Sequence, residues 1–247
     1  MNVENIQPIP NEPALFIQDK KILVIADLHI GIESELRQQG VNAESQIQKM
    51  MDHLTLLCKN FKPKEIIILG DIKHNIPFST KPERRDVKNF INSIQKLGII
   101  HLTPGNHDGN IKKLASDEII IHPSDGIVIE NIGFVHGHRW PNTELMSSDM
   151  IIFGHTHPTI MIKDRLEYKT FEPCWLKGNF LKNKLKEKYP DSKEPKFLII
   201  PAFNPLCGGI AINKDGINGP FSKIIDLENS EVFLLDGVSL GKIKNLI

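Results

Sequence analysis

Five short polar clusters, each set directly behind a run of branched apolar residues, constrain this chain more than any other feature. They are Asp27-Leu28-His29, Gly70-Asp71, Gly105-Asn106-His107-Asp108, His136-Gly137-His138 and Gly154-His155-Thr156-His157. The runs before them cover 22–26, 66–69, 99–102, 132–135 and 149–153, rich in Ile and Val and bounded by Gly, Pro or Asp. Continuous apolar runs of this length suit strands covered on both faces. Such strands bring their donors to one rim of a sheet, and open α/β sheets bind ligands at the carboxyl ends of their strands.

The residue types at that rim suit a pair of divalent cations, which need oxygen and imidazole ligands, a bridging carboxylate and open positions for water and substrate. Asp27 and His29 are two apart, so at an extended strand end they face one side and can bind one ion together. Asp71, in a Gly-Asp turn, is the best candidate for the bridge. Asn106 offers a neutral oxygen, and His136, His155 and His157 offer imidazoles, which keeps the site's negative charge low. That balance favours an anionic phosphate ester as substrate.

The ordered set Asp-x-His, Gly-Asp, Gly-Asn-His-Asp, a lone His and Gly-His-x-His resembles the calcineurin-like metallophosphoesterases. The resemblance implies a first ion held by Asp27, His29, Asp71 and His157, and a second held by Asp71, Asn106, His136 and His155. It implies that His107 contacts the scissile phosphate and protonates the leaving oxygen, with Asp108 holding His107 in place by a hydrogen bond; the other reading of Asp108 is a turn or helix-cap residue. Finer features are the Asp27-Leu28-His29-Ile30-Gly31 block, Lys73-His74 after Asp71, and Pro201-Ala202-Phe203-Asn204-Pro205. These are similar to archaeal and bacterial phosphoesterases associated with Lhr-type helicases. They imply a manganese-dependent phosphodiesterase or nuclease acting on DNA or RNA in DNA repair, with a functional link to such a helicase. Iron, zinc or nickel are the alternative ions.

Three further residues are candidate substrate contacts, each with a plainer alternative. His74 is a phosphate or leaving-group contact, or a solvent-facing loop residue. Arg139 forms a bidentate phosphate contact or packs on Trp140. Asn204 borders the pocket or caps a turn between prolines. His53 falls on a helix and His101 and His122 in or beside strands, all three in structural roles. No GxGxxG or P-loop pattern supports nucleotide-cofactor chemistry.

Helical stretches at 33–60 and 82–97 alternate with strands in the first half, and the chain turns strand-rich after His107. The pattern predicts two stacked mixed sheets with outer helices, in agreement with the αββα sandwich of the resembled family, in one domain over 1–247. A Lys-rich stretch at 177–196 reads as a solvated loop or insertion, or alternatively as a phosphate-tracking surface. Lys plus Arg and Asp plus Glu both number 30, so nucleic acid would have to be held by local charge. Three widely spaced cysteines suit a reducing cytoplasm, and neither a signal peptide nor a membrane-spanning stretch is expected. Two further functions compete with the nuclease reading. One is a small-nucleotide or cyclic-nucleotide phosphodiesterase or phosphatase. The other is a non-catalytic scaffold, which the intact ligand set and His107 disfavour.

Overall fold

The computed structural model describes residues 6–115 and 118–246. The first half of the chain builds a six-stranded sheet from β1 (Ile6–Pro8), β2 (Leu15–Ile17), β3 (Ile22–Ala26), β4 (Glu65–Leu69), β5 (Ile99–Leu102) and β6 (Ile119–Ile121), paired in that order. From β3 to β6 the strands are parallel, so their carboxyl ends share one rim. Helices α1 (Ile32–Gln38), α2 (Ile47–Phe61) and α3 (Lys81–Ile94) lie in the crossovers.

The second sheet has nine strands: β7 (Ile127–Ile129), β8 (Ile132–Val135), β9 (Met150–Phe153), β10 (Pro158–Lys163), β11 (Lys169–Asn179), β12 (Lys196–Ile199), β13 (Ile210–Ala211), β14 (Glu231–Leu234) and β15 (Ser239–Lys242). Its centre, β8, β9 and β12, is parallel, and its margins are mostly antiparallel. A short helix, α4 (Lys182–Lys188), precedes β12.

Strand periodicity explains why the apolar runs are unbroken. In β3, Leu23 and Ile25 face the core under α2 and α3, while Ile22, Val24 and Ala26 face the opposite sheet. In β9, Met150 and Ile152 face inward to the first sheet, while Ile151 and Phe153 enter an outer core with Phe221 and Leu185. Each strand is buried on both faces, so apolar residues occupy both parities. The result is the expected layering of helices, sheet, sheet and outer helix.

The helical stretch at 33–60 is two helices, broken near Gly40, whose φ of 84° lies in the left-handed region. One expectation is corrected. The Lys-rich stretch is not a loop between 182 and 188: Leu185 is fully buried and Tyr189, four residues on, donates its hydroxyl to the Pro141 carbonyl at 2.8 Å. Lysines are good helix formers, and this i, i+4 apolar pair docks the turn. Among the described residues no helix is long and apolar enough to cross a membrane.

Candidate metal centre

All five clusters meet at the rim shared by the two sheets. Asp27, His29 and Asp71 follow β3 and β4, and Asn106 and His107 follow β5. His136 follows β8, and His155 and His157 follow β9. Five of these residues, Asp27, His29, Asp71, His155 and His157, have positive φ between 41° and 66°. Left-handed backbone at non-glycine residues is costly and concentrates where function over-determines the chain. The glycines of the motifs have a steric cause. A Cβ at Gly105 would lie 2.1 Å from Asp71 Oδ1, and one at Gly154 would lie 2.5 Å from Asp27 Oδ2.

The donor atoms form two sets with a common member. In the first, His29 Nε2 lies 3.2 Å from His157 Nε2 and 3.5 Å from Asp71 Oδ2, and His157 Nε2 lies 3.3 Å from Asp27 Oδ1. In the second, His136 Nε2 lies 3.4 Å from Asp71 Oδ2 and 3.2 Å from both Asn106 Oδ1 and His155 Nδ1. Asp71 Oδ2 therefore faces both sets, while its Oδ1 accepts the His107 amide at 2.8 Å. Asp27, His29, Asp71 and His136 are buried, and Asn106 is exposed at the mouth.

Neighbouring groups fix the imidazoles. His136 Nδ1 donates to the Leu69 carbonyl at 2.8 Å and His157 Nδ1 to the Gly208 carbonyl at 3.0 Å, which turns each Nε2 lone pair inward. Burial alone would raise the Asp71 carboxyl, but His136, then His29 and His107, hold it well below the usual range. Burial alone would lower His136, but Asp71 and Asp27 outweigh it and lift the imidazole to about 9. Burial and His157 push His29 down to about 3, and burial and His136 push His155 down to about 4.

These residues fit a pair of ions. Donors about 2.0–2.2 Å from a shared ion lie roughly 3–3.5 Å from one another, the spacing seen within both sets. Asp71, His136 and His155 form one cluster able to hold an ion, and Asp27, His29 and Asp71 another.

His107 sits at the same mouth, its Nδ1 against the His74 carbonyl and its Nε2 4.0 Å from Asp71 Oδ2. Asp108 does not play the part expected of it. Its oxygens accept the amides of Ile72 at 2.9 Å, Lys73 at 3.4 Å and Gly105 at 2.9 Å, so it ties the Gly-Asp loop to the Asn-His loop rather than orienting the His107 ring. Burial, then Asp71, raises its pKa.

His74 does reach the site: its Nδ1 lies 3.2 Å from His29 Nδ1 and its Nε2 2.7 Å from Glu35 Oε2. Arg139 hydrogen-bonds the Ser124 hydroxyl at 2.9 Å beside Asn106 and His138. The Trp140 ring carries Lys188 instead, 4.1 Å from its centroid. Asn204 is not a pocket contact. It is buried, donates to the Leu28 carbonyl at 2.8 Å and accepts the Leu206 amide at 3.0 Å, and so stitches the loop after β12 to the Asp27 loop.

Three participants escaped the sequence reading. Glu35 has no motif. Glu83 accepts the amides of His74 at 2.8 Å and Asn75 at 2.7 Å, and its capping box with Thr80 was legible as Thr80-Lys81-Pro82-Glu83. Cys207 brings its sulfur within 4.8 Å of donor nitrogens of His29 and His157.

The model of the calcineurin-like phosphoesterase family matches residues 20–159, more than half of the chain and the span holding every donor above. Among solved structures, nuclease MPE of Pseudomonas putida is similar in fold, with a TM-score of 0.58 at 20% identity over 96% of this chain and 100% of that one. A phosphoesterase of E. coli, YfcE, gives a TM-score of 0.42 at 14% identity over 90% and 97%.

Proposed function

The chain belongs to the calcineurin-like phosphoesterases, and on that premise we propose that this hydrolase cleaves phosphodiester bonds in nucleic acid. The family uses a binuclear divalent centre. Carrying the reading is Asp71 Oδ2, placed 3.5 Å from His29 Nε2 and 3.4 Å from His136 Nε2, one oxygen shared by two donor sets. We assign Asp27, His29, Asp71 and His157 to one ion and Asp71, Asn106, His136 and His155 to the other. Manganese suits this mixture of carboxylate, amide and imidazole.

When bound, such a pair supplies a water of lowered pKa and neutralises charge on the phosphate oxygens. The chain's own residues do the rest. Asp71 is kept ionised by the imidazoles around it. The His107 amide holds the outer oxygen of Asp71, leaving the inner one free to bridge. With its Nδ1–H fixed on the His74 carbonyl, His107 presents Nε2 to the mouth, where, as the imidazolium, it can give its Nε2 proton to the leaving oxygen and become neutral. His74 shapes the same wall.

The blocks at 27–31, 71–74 and 201–205 support the narrower reading of an Lhr-associated branch acting in DNA repair. A cytoplasmic setting belongs to the same proposal, supported by the free thiols of Cys58, Cys174 and Cys207.

The test is a manganese-supplemented panel of bis-p-nitrophenyl phosphate, p-nitrophenyl phosphate, cyclic nucleotides, DNA and RNA. Turnover of the diester and of nucleic acid is expected. Turnover confined to monoesters or cyclic nucleotides would replace this reading with the small-nucleotide one.

A further inference from the structure

A chain with equal numbers of acidic and basic residues must gather cations locally to hold a polyphosphate. Of the four lysines of the Lys-rich helix α4, three are already engaged among the described residues and Lys184 alone is free. Lys182 pairs with Glu194 at 2.9 Å, Lys186 pairs with Glu194 at 3.8 Å and reaches the Ser192 carbonyl, and Lys188 lies over Trp140.

Free cations lie instead beside the metal centre. Directly after Asp108 the chain makes one tight turn, Ile111–Lys113, pinned by the buried Ile111 side chain, which leaves Lys112 and Lys113 exposed. A groove of about 810 Å³ on one side of this turn is lined by Asn106, Lys112, Lys113 and Arg139. A hollow of about 440 Å³ on the other side is lined by Phe78, Arg84 and again Lys113. Gly109 and Asn110 line both, so the two hollows adjoin at this turn, the first of them beside Asn106, and we read them as one track. Among the described residues Arg84, Lys112, Lys113 and Arg139 carry no ion pair. Among the described residues the one acid lining either hollow is Asp108, already bonded to backbone amides.

At the far end of the track stands an aromatic ring with nothing covering it. Phe78 is 82% exposed, on the loop that leaves His74. The loop is braced, because buried Glu83 accepts the amides of His74, Asn75 and Thr80. The backbone is thus anchored on both sides of the ring, which stays exposed although burial would be favourable.

We propose that this track binds an unpaired nucleic-acid strand, with one base stacked on Phe78 and the phosphates flanking the scissile one held by Arg84, Lys112, Lys113 and Arg139. A single strand is required because stacking on a side chain needs an open base face, which a duplex conceals. The inference rests on the nucleic-acid reading above and specifies its strand state and contacts.

The test is fluorescence anisotropy of labelled twelve-residue oligothymidylate and oligouridylate, and of a duplex of the same length, with the full chain in excess chelator across a salt series. Single strands are expected to bind more tightly than the duplex. Phe78→Ala should weaken binding roughly 5–150-fold, as loss of about 1–3 kcal/mol of stacking implies, and Phe78→Trp should restore it. Lys112→Gln with Lys113→Gln should flatten the log–log salt slope by about 1.4, two contacts at about 0.7 each. Lys182→Gln with Lys184→Gln should leave it unchanged.

Wild-type affinity and slope in both the Phe78 and the double lysine variants would overturn the track, as would the absence of oligomer binding. A duplex bound as tightly as the single strands would overturn the strand assignment. Turnover of bis-p-nitrophenyl phosphate by the wild-type protein reads the hydrolase separately. Turnover without strand binding rejects the track alone, whereas strand binding without turnover rejects the catalytic reading alone.

Discussion

His74 Nδ1 faces His29 Nδ1 at 3.2 Å. One of the two must carry the proton. If His29 presents its Nε2 lone pair to an ion, its Nδ1–H donates to His74, whose Nε2–H then donates to Glu35. The three residues form a chain that fixes the tautomer of a proposed ligand from outside the centre. His74→Ala and Glu35→Gln are each expected to weaken ion binding about 10–100-fold, the usual effect of removing a partner behind a ligand. Calorimetric titration with manganese reads this directly, and unchanged affinity in both variants would remove His74 from the support of His29.

Asp71→Asn tests the bridge. The substitution keeps the volume and the hydrogen bond from the His107 amide but removes the shared charge. Activity should collapse, and elemental analysis should find fewer than two ions per chain. A variant that keeps two ions and near-normal rates would show that another group bridges.

His107→Ala should cut turnover roughly 10²–10⁴-fold, as loss of a general acid does, with ion content unchanged. The loss should shrink for p-nitrophenyl esters, whose leaving group needs little protonation. A fall in ion content alongside the rate would make His107 a ligand.

Asp108→Ala should act through stability. It strands backbone amides that the carboxylate now satisfies, at a cost of about 1–3 kcal/mol, so Tm should fall by roughly 2–12 °C. Calorimetric melting of the ion-free protein checks this, and an unshifted Tm would mean the loops hold without the carboxylate.

Ion binding should strengthen with pH. In the ion-free protein Asp71 and Asp27 keep His136 protonated up to about pH 9, against the effect of burial. A ligand imidazole must be neutral, so loading expels this proton. Affinity should therefore rise as pH climbs toward about 9 and level off above it, with protons released below. Isothermal titration in buffers of different ionisation enthalpy counts them, and pH-independent affinity would exclude His136 as a ligand.

The layers and the convergence of the seven proposed donors were legible because two separate signals coincided: runs apolar at both parities mark strands buried on both faces, and each ends in a polar cluster. What sequence spacing could not carry was contact between loops distant in the chain. Asp108 is adjacent to His107 in sequence but bonds to Ile72 and Lys73 across the site. Asn204 bonds to Leu28, 176 positions away. Glu35 enters only because α1 brings it against His74. Lys182, Lys186 and Lys188 of α4 read as a free charged run because their partners Glu194 and Trp140 belong to other segments.

The donors' division between the two sheets sets an order of events for a chain emerging from the ribosome. Asp27, His29, Asp71 and Asn106 appear first and supply only part of either proposed set. His136, His155 and His157 follow, and their strands gain their central partner only when β12 enters between β9 and β11. The loop that clasps Leu28 through Asn204 comes later still. A nascent chain beside its own message therefore carries no complete proposed donor set until His157 has been made, and no clasped Asp27 loop until Asn204 has followed.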